Sequence, residues 1–271
     1  MDRRSWTNNG ITRKVLIVQY DGTNYSGWQV QDNAATIQSE IEKALSVIYK
    51  QEIKIIASGR TDTGVHAFGQ VVHFDSTSEI PLQKICFALN GIMPKDISIR
   101  KAYIVPDSFH ARYSAYERTY VYYIYNSRLR SPFTHNRAMW VKKDLNISFL
   151  NKAARYLLGE HDFASFCRKK SAEEKTIRRI KKIKIQKQGS YIELKITGNA
   201  FLHNMIRIIV GTLVGLSENN FEPTEMKKIL LAKTREASGE TAPAHGLYLY
   251  RIDYKPSLEK IAFEKMKQFN R

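Results

Sequence analysis

The stretch Glu52–Asp75, EIKIIASGRTDTGVHAFGQVVHFD, sets how the rest of the chain is read. IKII at 53–56 and VVHF at 71–74 are apolar and β-branched, which predicts two strands. Between them SGRTDTG places Gly59, Arg60, Thr61, Asp62 and Gly64 in one short loop. The glycines permit backbone angles or close approaches that a Cβ forbids. An acid on a loop between two buried strands is held by a scaffold yet open to a ligand. A carboxylate with an ordinary pKa of about 3.9 is ionised at neutral pH and is a weak general base. Arg60, facing Asp62, would favour that ionised form. The pair suits a nucleophile or an electrostatic stabiliser, but it also suits a turn braced by charge. The loop alone does not name a reaction.

Outward from this stretch, the elements alternate in a regular order. KVLIVQY at 14–20 predicts a strand, and DGTNYSGWQ a turn ending in Trp28. Ile37, Ile41, Ala44, Leu45 and Ile48 fall at helical spacing over about 36–49. Pro81 opens a second helix carrying Leu82, Ile85, Cys86 and Leu89. ISIRKAYIV at 97–105 closes the unit as a strand. The order β-α-β-β-α-β is the ferredoxin-like arrangement.

The second half repeats it in outline. TYVYYIYN is an aromatic strand, Leu150 to Leu158 mark a helix, and 176–187 and 190–197 form a hairpin around Gln188-Gly189. A helix over about 201–216, a shorter one after Pro223 and a strand at 246–254 complete it. The expected fold is therefore α+β. Two ferredoxin-like halves, 1–110 and 111–271, would share one long antiparallel sheet with helices on one face and a central cleft. Residues 255–271 read as a charged helical tail.

Charge narrows the partner. Lys and Arg number 43 against 26 Asp and Glu, a net +17 over 271 residues. That field favours polyanions, nucleic acid first among them. The segment 168–187 concentrates ten basic residues against Glu173 and Glu174, so Arg168, Lys169 and Lys170 are expected to meet phosphate. Cys86 and Cys167 show no metal spacing, which suits a reducing compartment. The start lacks a signal-peptide core, and the apolar run 208–216 is too short to span a membrane. The expectation is a soluble, cytoplasmic protein. His66 and His73 lie near Asp62 and Asp75, yet no tight ligand cluster accompanies them, and no metal or other cofactor is expected.

Two further constellations stand out. NAFLHNMIRIIVG at 199–211 enters an apolar helix carrying His203, Asn204 and Arg207. Polar groups on such a helix must face something, either a ligand or a buried carboxylate. Tyr120, Tyr122, Tyr123 and Tyr125 crowd one strand, mostly as core. One that reaches a cleft could stack on a base or act through its hydroxyl.

The motif SGRTDTGVHAFGQVVHFD closely resembles the signature of the tRNA pseudouridine synthase A family. The resemblance extends to YDGTNYSGWQVQ, FHARYSA, RTYVYYIYN, RSPF, GEHDFASF, NAFLHNMIRIIVG and TAPAHGLYLYRIDY, in one order along nearly the whole chain. It implies isomerisation of uridine to pseudouridine at positions 38–40 of the tRNA anticodon stem-loop, without metal or organic cofactor. It also implies a homodimer and base flipping. By resemblance, Asp62 is the essential aspartate, Arg60 the arginine that pairs with it and Tyr120 the active-site tyrosine. Arg207 matches the arginine that holds the target base out of the stack. Gly59, Thr61, Gly64, His66, His203 and Asn204 are the expected substrate-binding residues, with Arg168, Lys169 and Lys170. Asp62 would attack C1′ or C6, or accept the C2′ proton so that a glycal forms.

The chain departs from the family pattern beside Tyr120, where Glu117 and Val121 replace expected positive charge, and in the loop RKKSAEEK. Two rival readings are a non-catalytic RNA-binding protein, indifferent to Asp62→Asn, and a metal-dependent RNA phosphoesterase, sensitive to EDTA.

Overall fold

A computed structural model describes residues 11–77, 80–168 and 175–269. Lys169 and Lys170, with most of the RKKSAEEK loop, lie outside the described residues. In chain order the first elements are β1 (Thr12–Tyr20), α1 (Ile37–Tyr49), β2 (Ile56–Ala57), β3 (His66–Ser76), α2 (Leu82–Ile92) and β4 (Ile97–Val105). Then come β5 (Ala115–Asn126), β6 (Met139–Val141), α3 (Ile147–Arg155), β7 (Gly159–Asp162), β8 (Ile177–Gln188) and β9 (Tyr191–Gly198). The last are α4 (Met205–Glu218), α5 (Glu225–Ala232), β10 (Leu247–Tyr254) and α6 (Leu258–Phe269). The fold is mixed α and β with mostly antiparallel strands, and it divides into two compact units. The first holds residues 1–116 and 249–271, the second 117–248.

The first unit has the β-α-β-β-α-β order read from its sequence, with strands arranged β4-β1-β3-β10 and β2 paired to β3. β1 runs antiparallel to both neighbours, Leu16 standing opposite Val72 and Ala102. Leu16, Val18, Val72 and Phe74 of the strands meet Ile41, Leu45, Ile85 and Leu89 of the helices in a buried core. Each such side chain stabilises the fold by roughly 1.5–3 kcal/mol. Thr36 and Ser39 close a capping box at the start of α1, satisfying donors the first turn leaves open.

One expected strand shrinks. IKII was expected extended over 53–56, but only Ile56–Ala57 pairs. The Ile55 N–H donates to the Glu42 carboxylate at 3.0 Å and the Ile53 N–H to Ser46 Oγ at 3.3 Å. Side chains of α1 thus satisfy the backbone that a ladder would otherwise have taken. Both isoleucines are buried all the same.

In the second unit the strands are ordered β5-β9-β8-β7, with β6 parallel to β5. The elements expected between 117 and 232 are present, two short strands, β6 and β7, add to them, and β10, expected to complete this half, pairs with β3 of the first unit. The β8–β9 hairpin turns at Gly189, whose φ of +57° suits glycine. Tyr122 and Ile124 of β5 share a side with Ile192, Leu194 and Ile196 of β9, where they join Leu150 and Ile208 in the core. Among the described residues no helix is long and apolar enough to cross a membrane.

Candidate active site

The Asp62 loop of the first unit is clamped through its backbone from two sides. Trp28 N–H donates to the Thr61 carbonyl at 3.0 Å, and Tyr20 Oη lies 2.8 Å from Thr61 Oγ1. Val65 N–H returns to the Asp62 carbonyl at 3.1 Å, closing a turn. Gly64 fills its third position with φ +76°, where glycine is at ease. On the other flank Gln70 is fully buried. Its Oε1 accepts from Ser58 Oγ at 2.6 Å and its Nε2 donates to the Gly59 carbonyl at 2.8 Å. The Asp62 side chain is half-buried and Arg60 is exposed.

The Trp28 clamp belongs to the YDGTNYSGWQ turn, the Gly-bearing turn expected from the sequence. A Cβ on Gly22 would stand 2.1 Å from the Val65 carbonyl oxygen, so that residue must be glycine. A Cβ on Gly27, at φ +86°, would stand 2.9 Å from the Thr61 carbonyl oxygen and 3.2 Å from the Asp62 carbonyl carbon. His66 is 1% exposed, and its Nδ1 accepts from the Gly22 N–H at 3.1 Å. It stands 3.0 Å from Asp21 Oδ1, which takes hydrogens from Thr23 N and Thr23 Oγ1 at 3.0 and 2.6 Å. His66 therefore holds the turn against the loop. Gly59 behaves otherwise than expected: its φ is not left-handed, and a Cβ there would meet nothing within 4 Å. What it offers is open space at its own position in the loop.

In the second unit, β5 separates two tyrosines that sequence could not. Tyr122 is fully buried, its hydroxyl donating to the Pro243 carbonyl at 2.8 Å, and burial pushes that hydroxyl above its ordinary pKa. Its ring packs so closely on Gly246 that a Cβ would come within 2.5 Å. Tyr120, opposite Ile196, is half-buried and meets Phe201 edge-on at 5.3 Å. Glu117 is neutralised by Lys181, whose Nζ lies 2.7 and 3.0 Å from its two oxygens. The charge departure beside Tyr120 is thus compensated within the unit.

Arg207 projects from the first turn of α4. Its Nε donates to the Ala242 carbonyl at 2.8 Å and its Nη1 to Asn204 Oδ1 at 3.0 Å. Asn204 sits at φ +60°, a left-handed angle asparagine tolerates better than most residues. That kink starts α4 at Met205, later than the residue 201 expected from the apolar pattern. The strap 239–242 presses on the same helix, since a Cβ on Gly211 would stand 1.9 Å from the Glu240 carbonyl oxygen. Arg235 ties the strap by donating to Ser238, Gly239 and Thr241. The His203 side chain is exposed, and its carbonyl accepts from the Arg168 N–H at 3.4 Å.

β8 carries Arg178, Arg179, Lys181, Lys182, Lys184 and Lys187, most of them exposed. Lys184 stands across from Lys195 of β9. Such a strip favours a phosphate backbone. Among the described residues no three His, Cys, Asp or Glu side chains converge as metal ligands.

The residues so placed match a family model described as tRNA pseudouridine synthase, over 16–114 and 153–255. The chain belongs to that family. It is 46% identical over 244 residues to tRNA pseudouridine synthase A of Bacillus licheniformis, covering 89% of this chain and 99% of the relative. Over the same length it is 42% identical to that of Bacillus subtilis, with the same coverage of each. A Thermoanaerobacter relative of the same name is 43% identical over 240 residues, covering 89% and 98%.

Proposed function

We propose that this chain isomerises uridine to pseudouridine at positions 38–40 of the tRNA anticodon stem-loop, with Asp62 as the essential carboxylate. The observation that carries the reading is the Asp62 loop, a half-buried carboxylate on backbone pinned from two sides. A reacting carboxylate gains most when its position is fixed before the substrate arrives. The 46% identity to a curated tRNA pseudouridine synthase A supports the same reading.

The reaction breaks the C1′–N1 bond, turns the uracil and joins C5 to C1′. C5 loses a proton and N1 gains one, so the product is an isomer. Asp62 attacks C1′ or C6, or takes the C2′ proton, and each route uses the ionised carboxylate. Tyr120 accepts the C5 proton or stacks on the uracil. Reaching C1′ inside a paired stem needs the nucleotide flipped out, and Arg207 fills the space it leaves. Arg60, exposed beside Asp62, meets the carboxylate or a phosphate once RNA is bound. Thr61, Gly64 and His66 serve by fixing the loop, and Gly59 by leaving room beside it. Asn204 orients Arg207, while His203, Arg168, Lys169 and Lys170 face the RNA backbone. The protein works as a cytoplasmic homodimer and uses no cofactor.

The test maps pseudouridine in tRNA transcripts in which the uridines at 38, 39 and 40 are changed singly to cytidine. Product confined to the remaining uridines of that set supports the assignment. Product elsewhere in the transcript contradicts it.

A further inference from the structure

The segment Phe109–Tyr116 of the first unit is tied down through its backbone, with Phe109 buried and Tyr113 and Tyr116 exposed. Arg13, held by Asp75 at 2.7 and 2.6 Å, donates to the Asp107 and Phe109 carbonyls. Ala111 N–H donates to His73 Nδ1 at 3.2 Å, and Tyr254 Oη donates to the Ala111 carbonyl at 2.8 Å. His110 Nδ1 accepts from both Arg112 N–H and Tyr113 N–H at 3.2 Å. Ser114 Oγ accepts from the His110 N–H at 3.0 Å.

On this bracket three rings run in contact from core to surface, His110 meeting His73 edge-on and Tyr113 stacking on His110. His73 is 2% exposed, and His110 meets it with centroids 4.8 Å apart. Tyr113 stacks on His110 at 4.3 Å and 30°, and 77% of its surface is exposed. The Arg112 guanidinium sits 5.7 Å from the Tyr113 centroid. Further along, Tyr116 is 49% exposed with Lys255 Nζ 4.9 Å from its ring.

We propose that His110–Tyr116 with Lys255 is a stacking platform for an unpaired nucleotide of the bound tRNA. Tyr113 takes the base as the outermost ring of the column, and Arg112 and Lys255 take the flanking phosphates. The proposal rests on the tRNA reading above and adds a contact remote in sequence from the Asp62 loop. Bases stack on exposed aromatics whatever their identity, and each cation beside a ring supplies the charge a phosphate needs. Burial and the Arg13 charge hold His73 down to about 4, and burial lowers His110 too. The column is therefore neutral at pH 7 and does not repel the cations beside it. The net +17 of the chain favours a polyanion over an apolar protein surface as occupant.

The test uses the full chain and an unmodified tRNA transcript. Tyr113→Ala should weaken tRNA binding roughly 10-fold, the size of one lost base stack, while Tyr113→Phe binds within about 2-fold of wild type. Both should melt with the wild-type protein, because the ring is exposed. Arg112→Gln should lower the slope of log K against log salt by about 1. If wild type makes no pseudouridine while Tyr113→Ala still loses binding, the platform stands and the isomerase reading falls. Wild-type affinity in Tyr113→Ala overturns the platform. A changed sedimentation coefficient with unchanged tRNA affinity also overturns it, assigning the face to a protein contact.

Discussion

A Cβ on Gly27 would stand 3.2 Å from the carbonyl carbon of Asp62 and 2.9 Å from the carbonyl oxygen of Thr61. The YDGTNYSGWQ turn and the Asp62 loop touch backbone to backbone, and the glycine makes that possible. Gly27→Ala meets both this contact and a left-handed φ, so it should destabilise the protein by about 2 kcal/mol and depress activity further. Gly59→Ala, with open space around it, should stay within about 0.5 kcal/mol of wild type. Urea midpoints of the two variants check the contrast.

The two tyrosines of β5 should separate by readout. Tyr122→Phe removes the donor to the half-buried Pro243 carbonyl and should cost about 1 kcal/mol. Tyr120→Phe, half-buried against Phe201, should change stability by less than about 1 kcal/mol. If the Tyr120 hydroxyl takes the C5 proton, that variant loses pseudouridine formation while tRNA binding persists. Thermal melts and single-turnover rates on the same preparations separate the two effects.

Asn204 is suited to testing how Arg207 is positioned. Asn204→Gly keeps the left-handed backbone and deletes the side chain whose Oδ1 receives Arg207 Nη1. Stability should stay within about 0.5 kcal/mol, because glycine adopts this angle without strain. The single-turnover rate should fall roughly 10- to 100-fold, the scale of a misplaced active-site group. An unchanged rate would show that the Asn204 contact does not orient the guanidinium.

Much of this was legible in the chain. Hydrophobic periodicity located α1, α2, α3 and β1, and the Gln188-Gly189 signal located the β8–β9 turn. β6 and β7 escaped because three or four residues carry too little period to read. IKII misled because apolar β-branched residues also occur in extended chain whose donors go to helix side chains, as Ile53 and Ile55 do. The roles of Gly22, Gly27 and Gln70 depend on contacts far along the sequence. The paired glycines of DGTNYSG were the available signal, since two so close to aromatic residues suggest a tight backbone approach. Composition separates Tyr120 from Tyr122 no better, because burial is set by Pro243 and Gly246, more than a hundred residues away.

Acid should weaken the first unit in a defined window. Burial holds His73 down to about 4 in the folded state, against an ordinary value near 6.5. Its folded form prefers the neutral ring, so its contribution is intact above about pH 6.5 and is lost as pH falls through 4. His110 is lowered as well and acts in the same direction. Asp75, held below its ordinary value by Arg13, adds a further loss only below about pH 3.8. His73→Gln should flatten part of the fall between pH 6.5 and 4, measured as urea midpoints against pH.

The most direct measurement compares wild type and Asp62→Asn on an unmodified tRNA transcript with EDTA present, reading pseudouridine and tRNA affinity together. Asparagine keeps the size of the side chain and removes its charge, so folding and binding should persist. Pseudouridine in the anticodon stem-loop with wild type, and none with Asp62→Asn bound to the same tRNA, is the predicted result. Equal pseudouridine from both proteins would contradict the role given to Asp62.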